Sequence, residues 1–378
     1  MTSRYGIIDL QLKRLTNADL ERSGEGSQMD IKRVVAKPSE GLVYLERYVN
    51  DGSPSGFTAL HRTSPATDPY GLHASFSPFA LFDELARFQT FGTDTHHPIL
   101  QDGMIFIHPD MAHHAELRGS DVRECPDIQV TPTSSARTVQ VMSARPHDYI
   151  KLFYDGLVGR NNRRLHRIKA IAGPELSALL STAIESGDLP AYLTILREPF
   201  SRIHRNPDNS DPAQDWAMVW REGTPTGSAS PRIHWMAPLF SLWSRDRLRP
   251  EDPPLIEQLW TLWGGKAEDV MLSLLTNLID IHFTLITKLG LQFEFNAQNV
   301  LLGLDAQCNI ESIVLRDMMD IEKDLVIRRS LGLHTDFASH PYHVLGVEDQ
   351  DFARQRRSFE PPQQNLWGDS GSGSRPKL

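Results

Sequence analysis

Between Ala267 and Leu289, the residues Val270, Leu274, Leu278, Ile281 and Leu285 recur at helical spacing. Directly afterwards the period changes to two, with Leu291, Phe293 and Phe295 alternating with Gln292, Glu294 and Asn296. A one-faced helix therefore feeds straight into a half-buried strand. Val300-Leu301-Leu302 and Ser312-Ile313-Val314-Leu315 read as further strands, and Leu255–Trp263 as a second helix before Gly264-Gly265. Helices laid against mainly antiparallel sheet, an α+β chain, is the fold class this order predicts.

The polar residues of this region carry the chemistry. Glu294-Phe295-Asn296-Ala297-Gln298-Asn299 and Arg316-Asp317 place two carboxylates and three amides at the ends of apolar strands. Oxygen ligands of that kind suit magnesium. Upstream, Ile128 and Val130 alternate, a Thr-Pro-Thr-Ser-Ser turn follows, and Val139 and Val141 alternate again. This strand–turn–strand offers Ser134, Ser135 and Thr138 hydroxyls and the Arg137 guanidinium, which can grip phosphate oxygens bidentately. Lys151 lies on the next predicted strand, Tyr149–Tyr154, and Arg163 follows as a candidate carboxylate partner. One half-site for the metal and one for the phosphates make a nucleotide pocket if they converge. The plainer reading of each cluster alone is turn formation and a solvated strand face.

The remaining pattern is less decisive. Ala80–Phe88 has helical spacing after Ser77-Pro78, and Met104–Ile107 reads as a short strand. Gly173-Pro174 reads as the start of a helix ending near Ser186, with a strand at Leu193–Leu196. Residues 204–232 read as loop around a strand at Trp216–Glu222. Residues 1–40 and 336–378 read as tails, the latter partly disordered. Between them the expectation is a phosphate-binding lobe, 41–235, and a metal- and nucleotide-binding lobe, 236–335. His96-His97 and His108, His113 and His114 match no zinc spacing. Trp235, Trp243, Trp260 and Trp263 read as core or groove packing.

Composition narrows the partners. The 378 residues are 40% hydrophobic with a formal charge of −9, which argues against a general nucleic-acid binder. Two cysteines, Cys125 and Cys308, provide no disulfide framework, which fits a reducing cytoplasm. No uninterrupted apolar run reaches the roughly 20 residues of a membrane span, and the N-terminus has no signal-peptide core.

The order Pro-Thr-Ser-Ser-Ala-Arg-Thr, Lys151-Leu152, Arg163, Glu-x-Asn-x-Gln-Asn and Leu315-Arg316-Asp317 resembles the NRPS-independent siderophore synthetases of the aerobactin-synthetase IucA/IucC type. Arg197-Glu198 and Arg221-Glu222 sit where such sequences often carry an Arg-Glu pair. The resemblance spans about residues 105–325. It implies fingers and palm lobes around an ATP cleft, with a reduced thumb. It implies a ligase that uses ATP and Mg2+ to adenylate a carboxylic acid, citrate or a related polycarboxylate, and then joins it to an amine or hydroxyl. By position, Ser135, Arg137, Thr138, Lys151 and Gln298 would hold ATP. Glu294, Asn299 and Asp317 would hold magnesium, and Arg163 and Asn296, with Lys151, would serve the acid. The family has His at Asn296 and His-Pro-Trp-Gln where this chain reads His108-Pro109-Asp110, and its members are longer. A homodimer is compatible with this reading. A kinase-like phosphotransferase, with Asn299 and Asp317 as its metal ligands, and a non-catalytic nucleotide-binding relative are the alternatives.

Overall fold

The computed structural model describes residues 31–36, 38–50, 75–83, 88–93, 103–133, 135, 137–142, 148–158, 161–162, 164–204, 215–339 and 344–345. Its helices are α1 (Ile31–Ala36), α2 (Pro38–Tyr48), α3 (Arg167–Glu185), α4 (Leu255–Trp263), α5 (Ala267–Leu289) and α6 (Leu325–Ser330). Its strands are β1 (Phe79–Phe82), β2 (Phe88–Gly92), β3 (Met104–Ile107), β4 (Asp121–Glu124), β5 (Val130–Pro132), β6 (Thr138–Val141), β7 (Tyr149–Leu152), β8 (Leu157–Val158) and β9 (Asn161–Asn162). Then come β10 (Leu193–Ile195), β11 (Phe200–His204), β12 (Trp216–Arg221), β13 (Trp235–Pro238), β14 (Leu291–Gln292), β15 (Val300–Leu304), β16 (Ile310–Leu315), β17 (Glu322–Asp324) and β18 (Val344–Leu345).

Two sheets organise the molecule. The larger has the order β2-β11-β12-β7-β6-β5, and every neighbouring pair is antiparallel. The smaller has the order β10-β16-β15-β13, with β10 and β16 parallel and the other pairs antiparallel. A three-stranded sheet, β3-β1-β4, covers the larger one through an apolar cluster containing Ile105, Ile107, Val139, Ile150, Met218 and Trp220. Helix α3 packs against β11 and β12 of one sheet and β10 of the other. The expected α+β class with mainly antiparallel sheet is the architecture found.

Several local expectations change. The described residues of Ala80–Phe88 are not helical: Phe79–Phe82 is a strand hydrogen-bonded on both edges, to Met104–Ile107 and to Asp121–Glu124, and residues 84–87 lie outside the described residues. Pairing on both sides overrides a short helical spacing. Gly173-Pro174 does not open α3 but lies inside it. The strand expected over Leu291–Asn296 stops at Gln292. Beyond it Asn296 accepts from the backbone N–H groups of Gln298 and Asn299, at 3.0 and 2.8 Å. That side-chain turn takes the place of a ladder. Helices α1 and α2 lie partly within the segment expected as a tail, and the expected boundary at 235/236 falls inside β13. Trp235 and Trp263 are core residues, whereas Trp243 and Trp260 are exposed.

Helices α4 and α5 match their predicted bounds. Gly264 separates them at φ 58°, and α5 ends on Gly290 in the left-handed region. A Cβ on Gly290 would also meet Arg328 Cγ at 2.5 Å, so glycine is required there twice over. Leu255–Leu289 as a whole is long and apolar enough to cross a membrane by length and composition. Leu255, Leu259, Leu274, Ile281 and Leu285 pack into the protein's main core, although only 17% of the most apolar stretch is buried.

Candidate functional site

Side chains alternate across β6, β7 and β12, so each strand has an apolar and a polar face. Val139, Val141, Ile150, Leu152, Met218 and Trp220 point into the apolar cluster beneath. The other face carries Thr138, Gln140, Tyr149, Lys151 and Arg221, all buried. Register places Thr138 opposite Lys151, and Tyr149 between Gln140 and Arg221. Burying cations and hydroxyls in this way is costly unless they are paired or reserved for a ligand.

The smaller sheet supplies the opposing wall. The N–H of Arg316 donates to the carbonyl of Asn299 at 3.0 Å, and that of Leu196 to the carbonyl of Leu315 at 2.9 Å. The ends of β10 and β16 and the start of β15 thus meet at one rim. Asp317 follows at φ 73° and ψ 57°, a left-handed conformation that Asp tolerates better than most residues. The turn brings its carboxylate onto the far wall, where Lys151 Nζ donates to Oδ1 and Arg221 Nη2 lies 3.4 Å from the same oxygen. Burial opposes ionisation of Asp317. Lys151, Arg221 and Arg137 outweigh it and hold the carboxyl below the usual carboxylate range. Lys151 moves downward because burial outweighs the attraction of Asp317 and Glu198.

Behind this contact lies a crossed pair of Arg-Glu dipeptides. Arg197 bonds Glu222 at 2.6 and 2.8 Å, while Arg221 bonds Glu198 at 2.8 and 3.2 Å. Glu198 is fully buried, and its second oxygen has no hydrogen-bond partner. Gly173 of α3 faces that oxygen: a Cβ there would come within 2.7 Å of it. Burial pushes the Glu198 carboxyl upward against the pull of Arg221 and Lys151.

The hydroxyl turn is built partly for itself. Ser135 Oγ accepts from the Thr138 N–H at 3.1 Å, and Thr133 Oγ1 donates to the Thr138 carbonyl at 2.8 Å. The Arg137 N–H donates to the Ser135 carbonyl at 2.8 Å, and the Arg137 carbonyl accepts from Leu152 at 2.9 Å. This frames a tight loop with the Arg137 side chain buried beneath it.

A single pocket is lined by Ser135, Arg137, Thr138 and Lys151 from one wall and by Gln298, Asn299 and Asp317 from the other. Seven of the expected site residues are thereby brought together. Asn296 instead uses its oxygen to form the turn that presents Gln298 and Asn299. Glu294 stands outside the lining and accepts from Asn299 Nδ2 at 3.3 Å. Arg163 and Ser134 lie outside the described residues. The lining also includes Thr133, Glu46, Tyr149, Arg221 and Arg316, to which the sequence reading gave no ligand role. Tyr149 and Arg221 were accessible in principle, since one shares the face of Lys151 and the other belongs to an Arg-Glu pair. Glu46 gave no signal; it comes from α2 and pairs with Arg316, whose Nε also donates to the Gln298 carbonyl at 2.8 Å.

Arg137, Lys151, Arg221 and Arg316 thus face Glu46 and Asp317 in the lining. Basic excess in a chain of net charge −9 marks the pocket for an anion. Asn299 and Asp317 suit Mg2+, which commonly takes one or two protein oxygen ligands plus substrate phosphates. Among the described residues no group of three or more His, Cys, Asp or Glu side chains is placed to hold a metal ion. His114 bonds Asp155 at 3.2 Å, and His108 Nδ1 accepts from the Asp110 N–H at 3.2 Å.

Comparison with known proteins agrees with the motif resemblance. The model of the IucA / IucC family matches residues 106–241. No curated protein matches the sequence. Petrobactin biosynthesis protein AsbB from Bacillus anthracis str. Sterne superposes with a TM-score of 0.54 at 15% identity, over 70% of this chain and 50% of that one. Aerobactin synthetase IucC from Klebsiella pneumoniae gives 0.52 at 14%, over 82% and 61%. ATP-bound aerobactin synthetase IucA from the same organism gives 0.56 at 14%, over 86% and 67%. The chain shares its fold with these proteins and spans about half to two-thirds of their length.

Proposed function

We propose that this IucA/IucC-like chain is an ATP-dependent ligase of siderophore or related metabolite biosynthesis, acting in the cytoplasm. The carrying observation is the contact of Lys151 with Asp317, which joins the two motif clusters across one pocket. In this reading Arg137, Ser135, Thr138 and Lys151 take the triphosphate, and Gln298 lies beside the nucleotide. Asn299 and Asp317 take the Mg2+, with Glu294 orienting Asn299. When bound, the metal would neutralise phosphate charge. Lys151 would then exchange Asp317 for a phosphate oxygen.

The reaction proposed is attack of a carboxylate oxygen on the α-phosphorus with loss of pyrophosphate. An amine or hydroxyl then attacks the acyl carbon, AMP leaves and a proton is released. Two anions must approach each other in the first step, and the buried guanidinium and ammonium groups lower that repulsion. Arg163 is proposed to receive the acid, citrate or a related polycarboxylate. Asn296 is uncharged and engaged in its turn, so it shapes the acid site rather than pairing with a carboxylate. ATP–pyrophosphate exchange with a panel of di- and tricarboxylates tests the ligase. The expected result is exchange with at least one acid. ADP formation would point to phosphotransfer. Nucleotide binding without exchange would leave a non-catalytic relative, the reading that the occupied Asn296 side chain favours.

A further inference from the structure

Among the described lining residues, Glu46 alone comes from the N-terminal helices. Leu42, Leu45 and Val49 recur at helical spacing along α2 and just past its end, and all are buried. Leu45 and Val49 join the main core. Leu42 packs with Tyr149 and Leu196, two residues that line the pocket. Glu46 stands four residues after Leu42, on the same face and one turn further on, and this register carries its carboxylate to the pocket wall. The helix is pinned elsewhere by the Tyr44 hydroxyl, which donates to Asp246 at 2.7 Å, and by the Arg247 N–H, which donates to the Tyr48 carbonyl at 2.9 Å. A carboxylate only 2% exposed is costly unless it is paired. Its partner is Arg316, itself buried and 270 residues further along the chain.

We infer that Glu46 is a positioning residue for the metal half of the nucleotide site, acting through Arg316. The inference rests on the nucleotide reading given above. Arg316 spans three contacts: Nη1 donates to Glu46, Nε to the Gln298 carbonyl at 2.8 Å, and the backbone N–H to the Asn299 carbonyl at 3.0 Å. The carbonyls of two consecutive amide residues therefore hang on one arginine. Glu46 takes up the charge of that arginine and fixes it as a frame for the amide rim. Asp317 is the only other carboxylate of the lining. Without Glu46, four cations would face Asp317 alone, and Arg316 would turn to Asp317 or to an incoming phosphate. The sign of the effect follows. Loss of the carboxylate loosens the rim that presents Asn299 to a metal, while the positive charge that attracts phosphate rises. A residue that merely held α2 in place would weaken both alike.

The test is calorimetric titration of ATP, with Mg2+ and with EDTA, into the parent, Glu46→Gln and Arg316→Lys. Lysine keeps the charge but cannot reach both partners with a planar fork. Tyr44→Phe is the control, since it removes an anchor of α2 that lies outside the lining. Hydrogen exchange of residues 296–300 in the nucleotide-free proteins is read alongside. In Glu46→Gln and Arg316→Lys the affinity for ATP with Mg2+ is expected to fall by about tenfold or more, with metal-free ATP bound at least as tightly as by the parent in Glu46→Gln. Both variants are expected to exchange faster over 296–300, and Tyr44→Phe is expected to match the parent in all three readouts. Equal losses with and without metal in Glu46→Gln, or unchanged exchange over 296–300, would overturn the inference and leave the nucleotide reading standing. A parent that binds no ATP would remove the nucleotide reading and with it the metal role of Glu46, whereas the exchange rates would still decide whether Glu46 holds the rim.

Discussion

Gly173→Ala gives a prediction whose sign separates this structure from helix propensity. Inside a helix, replacing Gly by Ala is ordinarily worth about 1 kcal/mol of stability. Here the new methyl would lie 2.7 Å from Glu198 Oε2 and 3.5 Å from Glu198 Cβ. Overpacking of that kind costs about 1–3 kcal/mol. Glu198 cannot swing away freely, because its other oxygen holds Arg221 in a fully buried contact. Parting a buried ion pair costs about 3–5 kcal/mol, so partial separation adds to the loss. With the propensity gain subtracted, the expected outcome is a net destabilisation of about 1–4 kcal/mol. Urea unfolding followed by tryptophan fluorescence measures it directly. A chain as stable as the parent, or more so, would refute the packing described around Glu198.

Three further outcomes follow. Lys323 is fully buried, bonded to Ser339 Oγ and stacked on Phe337, and burial pushes it down to about 8. Because the unfolded lysine titrates near 10.4, the unfolded chain binds more protons between those values, and stability should rise as pH increases from about 8 to 10. In Lys323→Met that rise, read from urea midpoints against pH, should be absent. Asn296→Ala removes the acceptor for two backbone N–H groups and should cost about 1–2 kcal/mol, with weaker ATP binding because Gln298 and Asn299 lose their turn; unchanged unfolding and binding would contradict it. Asp317 is depressed, so its contribution is present above about pH 4 and is lost as acid drives pH toward its folded value. Asp317→Asn should flatten that part of an acid unfolding curve relative to the parent.

The sequence was readable where a single element decides its own structure. Helix α5 and the alternation in β6 follow from periodicity, β15 and β16 from apolar runs, and all come out as expected, while the strand expected over Tyr149–Tyr154 ends at Leu152. Arg137, Lys151, Asn299 and Asp317 were legible as candidates, whereas their meeting in one pocket comes from the way the two sheets pack. What could not be read depends on pairing at a distance. β1 is a strand only because two partners flank it, and Glu46 reaches the pocket only because α2 packs on β13. Asn296 and Glu294 read as ligand contacts in the sequence, yet in the fold their polar atoms arrange the neighbouring amides. A period-two pattern cannot separate a strand from a turn of alternating side chains.

The claim that the hydroxyl–guanidinium loop and the amide–acid rim grip one nucleotide is tested most directly by calorimetric titration of ATP with Mg2+ into three proteins. These are the parent, Arg137→Ala from one wall and Asn299→Ala from the other. Saturable binding to the parent is expected, with a loss of at least about tenfold, or 1.4 kcal/mol, in each variant. No binding by the parent, or full affinity in either variant, would contradict it.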